Sequence, residues 1–178
     1  FTSKSFFEPS DNFRNVGTFS VLANYTVYDF QDIISSVKSY SFRQMNLKDS
    51  LIVRFSRHFG TDIYGEVKLY ERGELNWNDF TQRPVNYFED IIINSELNYF
   101  FNNFITFSGG YRWFEQRKFN YLNGERVFDN YVRTTGPFVK IRAEWKRNSV
   151  IELLGTYDYY RYGDGSPGSD NGNVYLNA

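Results

Sequence analysis

Taken two residues at a time, this chain sorts into opposed lists. In "FITFSGGYRW", residues 104–113, Ile105, Phe107, Gly109, Tyr111 and Trp113 alternate with Phe104, Thr106, Ser108, Gly110 and Arg112. A period of two places the lists on opposite faces of one strand. The same alternation sets Phe19, Val21, Ala23, Tyr25 and Val27 against Thr18, Ser20, Leu22, Asn24 and Thr26, and Leu51, Val53 and Phe55 against Ile52, Arg54 and Ser56. It recurs around 63–70, 90–101, 139–146 and 151–159. Residues 33–45 are the weakest strand candidate, with Ser and Lys on both parities. No stripe of period 3.6 competes with this pattern. The segments exceed the usual strand length of about 5–6 residues.

The connections suggest an order for these strands. Tight turns are expected at Phe30-Gln31-Asp32, Phe59-Gly60-Thr61, Asn102-Asn103 and Arg147-Asn148-Ser149, and longer polar connections near 44–50, 77–84, 122–128 and 163–173. Short and long connections then alternate, as in an up-and-down outer-membrane barrel with short periplasmic turns and longer outside loops. The expected fold is all-β: an antiparallel up-and-down transmembrane β-barrel, with residues 1–178 as one domain. In this scheme the first clear strand runs downward, "FTSKSFF" is the tail of an upward strand, and "EPSDNFRN" is an outside loop. Both ends then fall inside strands, making the chain part of a barrel of about ten or more strands. A complete eight-stranded barrel is the rival.

Composition narrows the chemistry. With 20 basic and 21 acidic residues the net charge is −1, which gives no global field for nucleic acid. Aromatics reach 21%, yet the mean hydropathy is −0.55. A barrel tolerates this, because only alternate residues meet lipid. The absence of cysteine excludes thiolate chemistry, disulfides and c-type haem attachment. His58 has no second His and no triad partner at readable spacing, so no catalytic, metal or cofactor site is assigned. Gly109-Gly110 is followed by no Lys-Ser/Thr pair, and close packing explains it better than a phosphate loop. The loop "GDGSPGSDNG", 163–172, lacks calcium-loop spacing and a closing Glu.

The polar parity collects Arg54, Glu66, Lys68, Arg72, Asp90, Glu96, Arg112, Lys140, Arg142, Glu144, Glu152 and Asp158. Their functional reading is a lumen lining of mixed sign. The alternatives are an interior filled by ion pairs and a solvated sheet face. The opposite parity, with Phe107, Tyr111, Trp113, Ile141, Trp145, Ile151, Leu153 and Tyr157, is expected to face lipid. Its aromatics gather toward the ends of the apolar stretches, where rings with one wet end are favoured.

On these residues, and on strands such as "SGGYRWFEQRKF" and "VIELLGTYDYYRYGDG", the chain resembles bacterial outer-membrane β-barrel proteins of the porin-like kind. The resemblance is architectural and carries no short motif. It implies an outer-membrane location, lipid as a partner, and a pore or a sheath around a protein in the lumen or periplasm, such as a multihaem cytochrome. It implies no enzymatic activity, and a barrel lipase or protease is disfavoured by the lack of a nucleophile and base. The alternative from another class is a soluble all-β carbohydrate-binding module displaying its aromatics to sugar.

Overall fold

The computed structural model describes residues 1–28, 38–76, 79–145, 149–164 and 171–177. Nine strands run through them: β1 (Thr2–Ser10), β2 (Phe13–Thr26), β3 (Tyr40–Arg54), β4 (Phe59–Asn76), β5 (Thr81–Phe100), β6 (Ile105–Leu122), β7 (Glu125–Trp145), β8 (Ser149–Gly163) and β9 (Asn171–Asn177). They form one sheet in chain order, each strand antiparallel to its neighbours, with β1 and β9 at the edges. The up-and-down all-β arrangement is as expected. The central strands β4–β7 are 18–21 residues long.

Several connections differ from expectation. Residues 44–50 are not a loop but the middle of β3, where Met45 and Leu47 keep the alternation. Asp49 breaks it on the apolar parity and obscured the strand; Asn15 of β2 donates to its carboxylate at 2.8 Å. The region 122–128 is a hairpin turning on Asn123-Gly124 alone. Both residues have positive φ, 53° and 86°, which Asn and Gly tolerate in a two-residue turn. Strand β5 begins at Thr81, so 77–80 alone joins it to β4. There Asp79 accepts from the Thr81 hydroxyl at 2.7 Å and amide at 3.1 Å, which holds its carboxyl below the ordinary range. Phe59-Gly60-Thr61 opens β4; the turn is 55–58, where the Ser56 hydroxyl accepts from the amides of His58 and Phe59.

The expected turn at 30–32 lies outside the described residues. "EPSDNFRN" belongs to β1 and β2 around a turn at Asp11-Asn12. Strand β2 therefore runs opposite to the expected direction. Connections 11–12, 55–58, 101–104 and 146–148 share one end of the sheet, all short. Connections 27–39, 77–80, 123–124 and 164–170 share the other and vary widely in length, so strict alternation of short and long does not hold.

The distribution of burial is inverted relative to a sheet packed on a core. Among the described residues the buried hydrophobics are Leu75, Tyr87 and Phe138, whereas nine polar or charged residues are buried, Asp90, Asn98 and Glu115 among them. Opposite the face of Asp90 and Asn98, Leu97 of β5, Val139 of β7 and Ile151 of β8 are each 66% exposed; Glu115 lies on their face, beyond the apolar stretch. The sheet curls toward its polar face, where side chains of the central strands are buried and bridge next-but-one strands: Arg112 of β6 to Asp158 of β8, Lys140 of β7 to Glu96 of β5, and Gln116 of β6 to Tyr70 of β4; at the charged end of the other face Tyr121 of β6 likewise reaches Glu71 of β4. Alternate strands in a flat sheet lie about 10 Å apart.

Two glycines permit the curl. A Cβ on Gly136 would overlap the Tyr157 carbonyl, and one on Gly110 would overlap the Ser95 carbonyl and the Phe138 ring. Pro137, next to Gly136, has no amide to donate, and the β7–β8 ladder skips both residues.

The apolar band on the convex face has a tilted boundary. Moving toward the end with variable connections, the band gives way to charge at Arg43, Glu71, Glu89, Glu115, Arg133 and Arg161 on β3 to β8. Arg43 is level with Glu71, Glu89 is two residues lower, Glu115 two lower again, and Arg133 and Arg161 are level with Glu115. That descent is about 13 Å across about 24 Å of sheet, roughly 30°. A level boundary crossing strands tilted by about 35–45°, as in a closed barrel, has nearly this slope.

Gly136→Val should destabilise the folded sheet by about 2 kcal/mol through overpacking against backbone. Gly65→Ala, with nothing within 4 Å of the new Cβ, should be nearly neutral. Unfolding midpoints in denaturant compare the two; equal midpoints would contradict the close approach at Gly136.

Candidate functional site

The polar face brings many charged and aromatic side chains together, and register builds it. Lys68 pairs with Asn46 and Asp90; Arg112 pairs with Asn94 and Gly136; Arg142 pairs with Thr106 and Glu152. Because directly paired residues share a face, Arg54, Glu66, Lys68, Arg72, Asp90, Glu96, Arg112, Lys140, Arg142, Glu144, Glu152 and Asp158 all lie on this side. Phe107, Tyr111, Trp113, Ile141, Ile151, Leu153 and Tyr157 lie on the other, and Trp145 occupies the same parity by its pairing with Ser149.

Three clusters run across the face. Nearest the uniformly short turns, Lys140 binds Glu96 at 2.7 Å, Arg142 binds Glu144 at 2.6 Å, and the Ser108 hydroxyl donates to Asn98 at 2.6 Å. With Arg54 and Asp62 these residues border an open pocket of about 310 Å³. Arg54 lies over the Phe100 ring, 5.0 Å from its centroid.

In the middle, Arg112 holds Asp158 at 2.8 and 3.1 Å, Thr156 donates to the same carboxylate at 3.0 Å, and the guanidinium lies over Phe138. Gly110 leaves the space that the Phe138 ring occupies, so it serves packing, whereas a Cβ on Gly109 would meet only an ordinary contact.

Toward the variable end, Gln116 donates to Asp90 at 2.8 Å and to the Tyr70 hydroxyl at 2.9 Å, and Tyr70 stacks on Phe88 at 4.7 Å. Glu66 accepts from Tyr64 and Asn46 and pairs with Lys48 at 3.3 Å. Lys68 sits over the Tyr70 ring.

Chemically, this is a wall of matched charges and stacked rings. Cations and anions bind one another within it, which leaves no strong field of one sign. No protein-family model matches the chain, and no curated protein matches it. Among the described residues no group of three or more His, Asp or Glu could hold a metal ion. His58 lies in the 55–58 turn, its Nδ1 3.0 Å from the Phe100 carbonyl. The loop 163–172 falls partly outside the described residues.

Sequence reasoning passed over Tyr64, Tyr70, Gln116 and Phe138 as contributors to this face. Parity held the signal, since each shares it with the charged residues, but an aromatic residue on the polar list was not read as a wall element.

The Arg112–Asp158 pair is partly exposed, with side-chain exposures of 37% and 14%. A double-mutant cycle with Arg112→Gln and Asp158→Asn should give a coupling of about 1 kcal/mol or less that shrinks with added salt. A coupling unchanged by salt would mean that water does not reach the face.

Proposed function

We propose that the chain forms the wall of a transmembrane β-barrel in a bacterial outer membrane, with its convex apolar face in lipid and its polar face around a lumen. The observation that carries this is the inversion of faces: exposed Leu, Val, Ile, Phe and Tyr outside, buried Asp, Asn, Ser and Thr inside. In water such an apolar face would need a covering layer; in lipid it needs none. A closed ladder also satisfies every backbone group in hydrocarbon, which an open sheet cannot do. From Ile105 to Trp113 the band extends about 26 Å along β6, or about 20 Å once tilted, close to the apolar band of known barrels.

The uniformly short connections then face the periplasm and the variable ones the outside. The role is passive: the wall passes solutes or sheathes a partner, a multihaem cytochrome being one occupant of suitable kind. Mixed and paired wall charges favour weak ion selectivity over strong.

Phe107→Arg should block assembly, because Arg on a lipid face costs about 2–4 kcal/mol near the midplane, whereas Arg112→Gln should assemble normally. Assembly is read from the heat-modifiable migration of the protein extracted in detergent. A harmless Phe107→Arg would place that face in water. Single cysteines at 140, 142 and 144 should react with charged thiol reagents, and those at 139, 141 and 143 should not. Conductance across a lipid bilayer distinguishes an open passage from a sheath. Full solubility without detergent would replace the barrel by the carbohydrate-binding alternative.

A further inference from the structure

The convex face carries a second feature, above the apolar band, that a lumen does not require. There Arg43, Arg117, Arg126, Arg133 and Arg161 stand against Glu71, Glu89 and Glu115, so the collar is net cationic although the whole chain is not.

Its centre is Glu115, only 3% exposed. One carboxylate oxygen accepts from the Arg117 Nε at 2.7 Å and the other from Arg133 at 2.7 Å. Arg133 also lies over the Trp113 ring, 4.7 Å from its centroid, at the upper limit of the band. On its far side Arg133 pairs directly with Arg161. Like charges placed opposite one another repel; Arg117 and Arg133 share the one buried carboxylate, and Glu89 stands directly opposite Arg117. Arg117 spends its Nε on Glu115 and keeps a side chain 46% exposed. Arg is suited to phosphate because its planar fork gives paired, charge-assisted hydrogen bonds.

We infer that Arg117, Arg133 and Arg161, braced by Glu115 beside Trp113, form a binding site for the phosphate headgroup of an anionic lipid in the outer leaflet. The inference rests on the barrel reading, which puts this collar at the headgroup level. Charge complementarity and position select the occupant: the cationic patch lies immediately above an apolar surface, so a ligand with phosphate above and acyl chains below fits both parts. An acidic protein would match the charge alone.

The test uses the full chain in phosphatidylcholine vesicles with and without phosphatidylglycerol, the lipid retained after extraction being counted by native mass spectrometry. Preferential retention of phosphatidylglycerol is expected. It should fall about tenfold in the triple variant Glu115→Gln, Arg117→Gln, Arg133→Gln, which removes the brace together with the charges it holds. Arg161→Gln leaves Glu115 with both its arginines and should lower retention severalfold, which keeps the test decisive if the triple variant does not fold.

Equal retention of both lipids, or undiminished preference in a folded variant, would overturn the headgroup site while leaving the barrel intact. Displacement of the lipid by inorganic phosphate at equal concentration would overturn it in favour of a free-anion site. Failure to enter either vesicle would overturn the barrel reading, and this inference with it.

Discussion

The backbone ladder is the constraint on which everything else depends. In a sheet whose strands follow one another in chain order, each register fixes the next, and the side-chain period of two carries one parity across the whole width. A slip of one residue would exchange the faces of the strand concerned. Here Lys48, Glu66, Ile92, Phe114, Thr134 and Tyr160 are joined through successive registers from β3 to β8. The irregularities at Arg72/Gly73 and Lys118/Phe119 lie toward the variable end, beyond the central apolar band. Within the band the β7–β8 ladder skips Gly136 and Pro137 but resumes in the same parity at Phe138–Thr156, so parity is kept where the contrast between faces is sharpest.

Energetically, the polar face makes up for its few apolar contacts by pairing. Asp90, Asn98 and Ser108 are buried, and each has a hydrogen-bond partner on this face. Bridges such as Lys140–Glu96 span a whole intervening strand, so they act on curvature as well as charge. Gly110 and Gly136 leave room for close approaches of the Ser95 and Tyr157 carbonyls and the Phe138 ring. Each exposed pair is worth little by itself; together they satisfy the charges and polar groups that the curled face brings close.

Much of this was legible in the sequence because alternation is a local signal. The parity of Arg112 and Phe107, or of Lys140 and Ile141, follows from position alone. What failed was local punctuation. Asp49 on the apolar parity concealed the continuity of β3, since its partner Asn15 is distant in sequence. The polar residues around Asn123-Gly124 read as a long loop, although that dipeptide is itself a tight-turn signal and the strands simply extend past the apolar band. The same extension hid Glu115 and its arginines. On the apolar parity they look like violations, and only register shows that they lie above the band, on the side of the variable connections.

The central claim, that the convex face meets hydrocarbon, can be measured directly. Nitroxide labels placed one at a time from 105 to 113 on the membrane-reconstituted protein report collisions with oxygen, which concentrates in lipid, and with a water-soluble nickel chelate. The expected result is a period of two: oxygen contact highest at 105, 107, 109 and 111, and nickel contact highest at 106, 108 and 112, position 110 being left unlabelled because no side chain fits there. Nickel contact equal on both parities, or highest on the odd one, would contradict the assignment of that face to lipid.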